Sequence, residues 1–128
     1  MTITAGIIKL CLEECEKSEY KFHVGSVIFK GKRILASGHN GLRSSRIDNR
    51  YKNYINSLHA EQAALMQLDW TKLNGCSILV IKCSKTKKLL SNAFPCEMCQ
   101  KFLKYVGIRD VYYSTENGEI SYCRLYGD

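Results

Sequence analysis

"CSILVIKCSKTKKLLSNAFPCEMCQKFLKYVGIRDVYYS", residues 76–114, decides the fold of this chain. It opens on "CSILVIKCS", an apolar run of strand length, as expected of a central strand covered on both faces. "CEMCQKFLKYVG" follows as a helix closed by Gly107. "IRDVYYS" is then a second strand. A strand, a helix and a strand in succession require a crossover, so the two strands should lie parallel.

Beyond this unit, "TENG" is a turn signal and "EISYCRLY" a last strand. Strands near 109–114 and 119–125 are expected to pair antiparallel through that turn. Upstream, "TAGIIKLCLEECEKS" spaces Ile7, Ile8, Cys11, Leu12 and Cys15 for an amphipathic helix over 4–18. Cys11 and Cys15 then read as small buried hydrophobes. "HVGSVIFKGKRILASGH" reads as an antiparallel hairpin, 23–30 and 32–38, about a Gly-Lys turn. "NGLRSSRIDNRYKNYINS" has no apolar period and is expected to be a long loop. "HAEQAALMQLD", residues 59–69, is a helix offering Ala60, Ala63, Ala64 and Leu68 for packing. The order α, β-hairpin, loop, α, β, α, β, β implies an α/β fold, a mixed sheet covered by helices.

Length and composition fit that outline. A chain of 128 residues with one proline and no repeat is expected to be a single domain with an ordinary core. No apolar stretch approaches the roughly 20 residues of a membrane span. The N-terminal stretch lacks the basic start and small-residue cleavage site of a signal peptide, so a cytoplasmic protein is expected. Seven cysteines, an odd number, cannot form a fully paired disulfide framework; reduced thiols or metal ligands fit better. A net charge of +7 suits an anionic ligand, nucleotide or nucleic acid, and equally a surface of solvated lysines.

Two short stretches carry chemistry. "PCEMC" places Cys96 and Cys99 as a C-x-x-C at the opening of a helix. There the unpaired N–H groups favour the thiolate, which is the form that binds zinc. A redox dithiol is one reading, but the residues upstream do not resemble a thioredoxin strand and loop. A structural zinc site usually takes two closed ligand pairs, which "HAE" at 59–61 does not supply. Joined, the stretches give three zinc ligands, His59, Cys96 and Cys99, from two helix starts, with a fourth position open to water as a catalytic zinc requires. Zinc lowers the pKa of that water towards roughly 7. Glu61, two residues from a ligand, is placed to move protons. H-x-E followed by P-C-x-x-C is the signature of zinc deaminases acting on bases.

On these motifs the chain resembles the cytidine and deoxycytidylate deaminase superfamily, from about His23 to Ser114. The resemblance implies a three-layer α/β/α cytidine deaminase-like fold over residues 1–128, with a mixed five-stranded sheet whose last two strands are antiparallel. It implies a zinc cofactor on His59, Cys96 and Cys99 and hydrolytic deamination with Glu61 as proton carrier. "VGSVIFKGKRILASGHNG" looks like the family's first hairpin. By that match Asn40 is similar to the asparagine that hydrogen-bonds substrate near the sugar. Val24 to Val27 would border the base pocket, Ser26 could present backbone groups to the base, and Ala60 joins the substrate-binding set. Homo-oligomers are frequent among such proteins.

The substrate stays open at this point. The histidine ligand resembles deoxycytidylate, tRNA and polynucleotide deaminases, whereas the short ending resembles the free-cytidine enzymes. The loop after Asn40 carries Arg43, Arg46, Arg50 and Lys52 with Tyr51 and Tyr54 among them. Arg43 and Arg46 could meet a 5′-phosphate. Basic residues with aromatics also suit single-stranded RNA or DNA. A cytosine nucleoside or nucleotide is the expected substrate, RNA or single-stranded DNA the alternative, and a non-catalytic zinc-stabilised nucleic-acid-binding protein the third. His23 and His39 are expected in turn or surface roles, and Cys76, Cys83 and Cys123 in packing.

Overall fold

A computed structural model describes residues 3–18, 22–42, 57–84 and 90–126. The elements run α1 (Ala5–Glu16), β1 (Phe22–Lys30), β2 (Arg33–His39), β3 (Gly41–Leu42), β4 (Ser57–Leu58), α2 (Ala60–Leu65), β5 (Ser77–Ser84), β6 (Leu90–Ser91), α3 (Glu97–Val106), β7 (Asp110–Ser114) and β8 (Ile120–Arg124). The main sheet has the order β2-β1-β5-β7-β8. β5 is central: antiparallel to β1 and parallel to β7 across the α3 crossover. β7 and β8 pair antiparallel from Asp110 opposite Arg124 to Ser114 opposite Ile120. This is the expected mixed sheet with its last two strands antiparallel.

Both faces of the sheet are covered, because β5 is apolar on both. Leu79 and Ile81 pack with Ile7, Cys11 and Cys15 of α1, together with Val27 and Phe29 of β1. Ile78 and Val80 pack on the other side, with Ala64 and Leu65 of α2 and Leu103 and Val106 of α3. The layers are therefore α1, sheet, then α2 with α3. Glycines allow the helices to sit close. A Cβ on Gly25 would lie 2.4 Å from Cys11 O, and one on Gly38 would lie 2.6 Å from Ala64 N.

Cys11 and Cys15 are buried as read. Their S–H groups donate to Gly25 O (3.3 Å) and Ile81 O (3.2 Å), and burial, with Cys83 nearby, pushes the Cys15 thiol up to about 12. Both are inert packing groups at neutral pH. Cys76 is buried in the α2–α3 layer, and Cys83 packs on the α1 side.

Three local features differ from the sequence expectation. The helix read over 59–69 stops at Leu65. The Trp70 indole N–H donates to Leu65 O at 3.0 Å, and Asp69 accepts from the backbone and hydroxyl of Thr71. These bonds replace the next helical turn with a short 3-10 turn, Trp70–Lys72. A sixth strand, β6, pairs with β5 beyond the point where β7 ends: β7 reaches Val80, and Ser91 takes up opposite Lys82. Finally, the ends of the expected loop form a ladder, Gly41 opposite Leu58 and Leu42 opposite Ser57. That ladder brings Asn40 towards His59. α3 ends as read, on Gly107 at φ 99° with its N–H capping Leu103 and Lys104 carbonyls.

Candidate active site

His59 is the N-cap of α2, in extended backbone after β4, and Cys96 is the N-cap of α3. Cys99 lies one turn into α3 and is buried. The His59 Nδ1 is 3.2 Å from Cys99 Sγ and 4.0 Å from Cys96 Sγ. All three donor atoms lie within 4.8 Å of one another, and among the described residues they form the one His/Cys/Asp/Glu group able to hold a metal ion. Ideal tetrahedral zinc bonds imply donor separations of about 3.6 Å for nitrogen to sulfur and about 3.8 Å for sulfur to sulfur. The observed distances bracket that nitrogen–sulfur value, so the donor set fits zinc in both chemistry and spacing. Cys83, on the opposite face of the sheet, is no fourth member.

Local bonds hold the donors in place. Gln62 Oε1 accepts from His59 N at 2.9 Å, Gln100 Nε2 donates to Pro95 O at 2.8 Å, and Asn92 Oδ1 accepts from Phe94 N at 2.8 Å. The electrostatics call for a cation here. Burial pushes the Cys99 thiol far up, and the Glu61 carboxylate and Cys96 beside it push the same way. The helix start alone does not overcome that burial. A bound cation is what would let the Cys99 sulfur carry charge.

Glu61 sits in the first turn of α2, almost wholly buried. Burial raises its carboxyl above the usual range, against its own backbone N–H, His59 and the Cys99 thiol, which pull it down. It opens onto a cavity of about 270 Å³ shared with His59, Ala60, Asn40 and Cys96. Six of the residues picked from sequence, Val24, Asn40, His59, Ala60, Glu61 and Cys96, thus line one cavity, and Cys99 is bonded directly behind it. Asn40 is fixed by β1: its Oδ1 accepts from Val24 N at 3.0 Å, and its own N–H donates to Val24 O at 3.1 Å.

The other expected contacts fall elsewhere. Ser26 is fully buried beneath α2, its hydroxyl donating to Ala60 O at 2.7 Å; it supports the wall and does not line the cavity. Of Val24 to Val27, Val24 lines the cavity, while Val27 points into the α1 layer because strand side chains alternate. His39 is engaged on the α1 side, Nδ1 to Glu14 Oε1 at 2.9 Å. Arg43, Arg46, Arg50 and Lys52 lie outside the described residues. Lys82, Asn92 and Phe94 line the cavity and were not singled out from sequence. Lys82 left a trace, as the one charge inside the apolar run at 76–84.

The chain belongs to the family described as the cytidine and deoxycytidylate deaminase zinc-binding region, whose model matches residues 1–115. It is therefore a member of a deaminase family. A curated relative, an "uncharacterized deaminase in luxG 3′region" of Aliivibrio fischeri, is 34% identical over 94 residues, covering 70% of this chain and 56% of the relative. The chain thus spans little more than half of that relative's length. Cytidine deaminase from Burkholderia pseudomallei shares the fold with a TM-score of 0.66 at 16% identity, over 97% of this chain and 94% of that one. The dCMP deaminase of cyanophage S-TIM5 gives 0.57 at 24% identity, over 88% and 86%.

Proposed function

We propose that this protein is a zinc-dependent hydrolytic deaminase that converts a cytosine nucleoside or nucleotide to the uracil form with release of ammonia. One observation carries the reading: two helix N-termini bring His59, Cys96 and Cys99 within 4.8 Å, and the Glu61 carboxyl lines the same cavity as His59 and Cys96. His59, Cys96 and Cys99 would hold the metal. Bound there with three protein ligands, zinc would supply a Lewis acid that makes water nucleophilic near neutral pH.

Glu61 takes the proton released as water adds to the ring carbon bearing the amine. It protonates the ring nitrogen and then carries a proton to the departing amine, so water enters and ammonia leaves in balance. A carboxyl raised by burial suits a group that must both accept and give protons. The cavity is at the small end for ligand sites, which fits a nucleoside-sized substrate. Asn40 bonds the sugar end and Ala60 walls the base. Ser26 acts through Ala60. A monophosphate, dCMP or CMP, is the favoured form, with Arg43 and Arg46 in the loop after Asn40 as partners for its phosphate. The S-TIM5 enzyme has been crystallised in complex with dCMP and dUMP.

Residues 1–128 are taken as one such domain working in a reducing, cytoplasmic setting, which keeps Cys96 and Cys99 available as ligands. Among the described residues no helix is long and apolar enough to cross a membrane. A homo-oligomer is expected, and light scattering at micromolar concentration checks it. The decisive experiment is ammonia release from zinc-loaded protein over cytosine, cytidine, deoxycytidine, their monophosphates and short RNA and DNA oligonucleotides. Turnover of a free nucleoside or nucleotide is the expected result. Turnover of oligonucleotides alone, or of nothing, overturns it.

A further inference from the structure

We propose that Glu14, a buried carboxylate on α1 that the chemistry does not use, is a positioning residue for substrate binding: it clamps the end of β2 and so sets the place of Asn40 in the cavity. The inference rests on the deaminase reading of the site and adds to it a residue on the opposite face of the sheet.

Asn40 follows directly on β2, an edge strand with β1 as its neighbour in the main sheet. Side chains alternate along the strand, so Ser37 and His39 face α1 while Gly38 faces α2. The apolar cluster under α1 takes its buried members from α1, β1, β5 and β7, and none of its members, buried or partly buried, comes from β2. Polar bonds take the place of that packing. Glu14 stands near the end of α1 and is 6% exposed. Its Oε1 accepts from His39 Nδ1 at 2.9 Å, and its Oε2 accepts from Ser37 Oγ at 2.8 Å and from Lys17 Nζ at 3.2 Å. A carboxylate only accepts, so Nδ1 is the donor in the His39 bond. One buried group thus takes up two side chains spaced i and i+2 on the edge strand.

The clamp lies one residue from the cavity. His39 is tied to α1, Gly41 is paired with Leu58 on β4, and Asn40 between them lines the cavity. Asn40 also bonds Val24, through its Oδ1 and its backbone N–H. Those bonds run from strand to strand along the sheet. The Glu14 bonds run across it, towards the helix, because strand side chains stand roughly perpendicular to the sheet. They therefore set how the end of β2 is tilted about its own axis, which the Val24 bonds do not. A tilt there moves the Asn40 side chain relative to Glu61 and the proposed ligands, which belong to α2 and α3 and not to β2. Loss of the clamp should consequently weaken the grip on substrate and spare the reacting groups.

The test compares wild type, Glu14→Ala, Glu14→Gln, His39→Ala and Ile7→Val as zinc-loaded full chains. Ile7 is fully buried in the cluster that β2 does not join, so Ile7→Val loosens the α1 layer without touching the clamp. The readouts are kcat and KM for the cytosine nucleoside or nucleotide that wild type turns over best, calorimetric Kd for the matching uracil product, zinc content and melting temperature. Glu14→Ala should raise KM and the product Kd about 3- to 10-fold, the worth of one hydrogen bond put out of line. Its kcat should stay within about twofold of wild type, as for loss of binding shared by ground and transition states. His39→Ala should do the same, and the double variant no more than either, because the two residues act as one unit. Glu14→Gln keeps one side-chain oxygen to accept and should fall between. Ile7→Val should melt earlier with KM unchanged. Glu14→Ala that melts earlier yet keeps the wild-type KM and product Kd makes Glu14 a purely structural residue, which overturns the proposal and leaves the deaminase reading intact. A KM that rises equally in Ile7→Val, or zinc lost from Glu14→Ala, also overturns it. Should Glu14→Ala not fold, Glu14→Gln and His39→Ala decide by the same readouts. Wild type that neither turns over nor binds any of these compounds overturns both readings.

Discussion

Replacing Gly38 with alanine should weaken zinc binding although Gly38 is not a ligand. The new Cβ would lie 2.6 Å from Ala64 N, 2.8 Å from Ala63 Cβ and 2.9 Å from Ala63 C. These atoms are backbone and Cβ of α2, so no flexible side chain can swing aside. To reach ordinary contact near 3.4 Å, α2 must back away from β2 by about 0.8 Å. The helix has only six residues and carries His59 at its N-cap and Glu61 in its first turn, so the proposed ligand and the proposed proton carrier move with it. Metal–ligand distances tolerate only about 0.2 Å. A loss of about 10- to 100-fold in zinc affinity is expected, the scale seen when groups that orient ligands are disturbed. Overpacking should cost about 1–3 kcal/mol of stability. Gly25→Ala is the control. Its Cβ meets Cys11 O at 2.4 Å and Cys15 N at 2.8 Å, so it strains α1, which holds no candidate ligand. Both variants should melt earlier as apo-proteins. Only Gly38→Ala should lose zinc in competition with a chromophoric chelator. If it competes for zinc as well as wild type does while melting earlier, the coupling of α2 position to the site is refuted.

Glu61→Gln should retain about one zinc per chain by elemental analysis while kcat falls about 10²- to 10⁴-fold, since an amide carries no proton. Near-normal turnover would reassign the proton carrier. Ser26→Ala removes the donor to Ala60 O in a fully buried position and should cost about 1–3 kcal/mol in a denaturant titration. A loss within error would mean that the carbonyl finds another donor. Burial works to raise the Glu14 carboxyl, but hydrogen bonds from His39, Ser37 and Lys17 outweigh it and hold it below the ordinary 4.5. Its contribution to stability is therefore complete above 4.5 and lost as pH falls through the lower folded value. The stability gap between wild type and Glu14→Gln should accordingly close in acid; a gap that widens would show the sign to be wrong.

How far the sequence could be read depended on what fixed each feature. Zinc chemistry demands particular residue types at helix starts, so "HAE" and "PCEMC" could be found and joined without coordinates. The β5–α3–β7 unit was legible because an apolar run, a capped helix and a crossover each leave a local mark. β6 and the β3–β4 ladder are two residues long and leave no alternation; partners distant in sequence create them. The end of α2 depends on Trp70 reaching back to Leu65, a contact that a helical period cannot announce. Ser26 illustrates a further limit. Its strand was correctly placed, but whether a hydroxyl turns to the substrate or to Ala60 is decided by the height of α2 above the sheet. The position of Lys82 at the cavity follows from register with Val24, not from its neighbours in the chain.

The location of the site follows from strand direction. β1 is antiparallel to both β2 and β5, so β2 and β5 run the same way. α2 begins after the chain leaves β2 and returns through β4, and α3 begins after β5 and β6. Both helices therefore start at the carboxyl end of the sheet, and both pack on its same face. Ligand crevices in α/β sheets occur at that end. One strand, β1, separates β2 from β5, so the two lie about 9.6 Å apart, close to the 8–10 Å at which packed helices sit. Two helices over those strands must bring their first turns together. Side chains from the N-caps then reach a common point, as His59 and Cys96 do. β7 ends at Ser114, and β6 pairs further along β5 beyond the last β7 contact; this leaves room for residues 92–96 to form the remaining wall. The floor is the start of β1 and the end of β5, which means Val24, Val80 and Lys82. A topology that inserted one more strand between β2 and β5 would hold the two helix starts about 4.8 Å further apart, and no rotamer of His59 would then meet both cysteines.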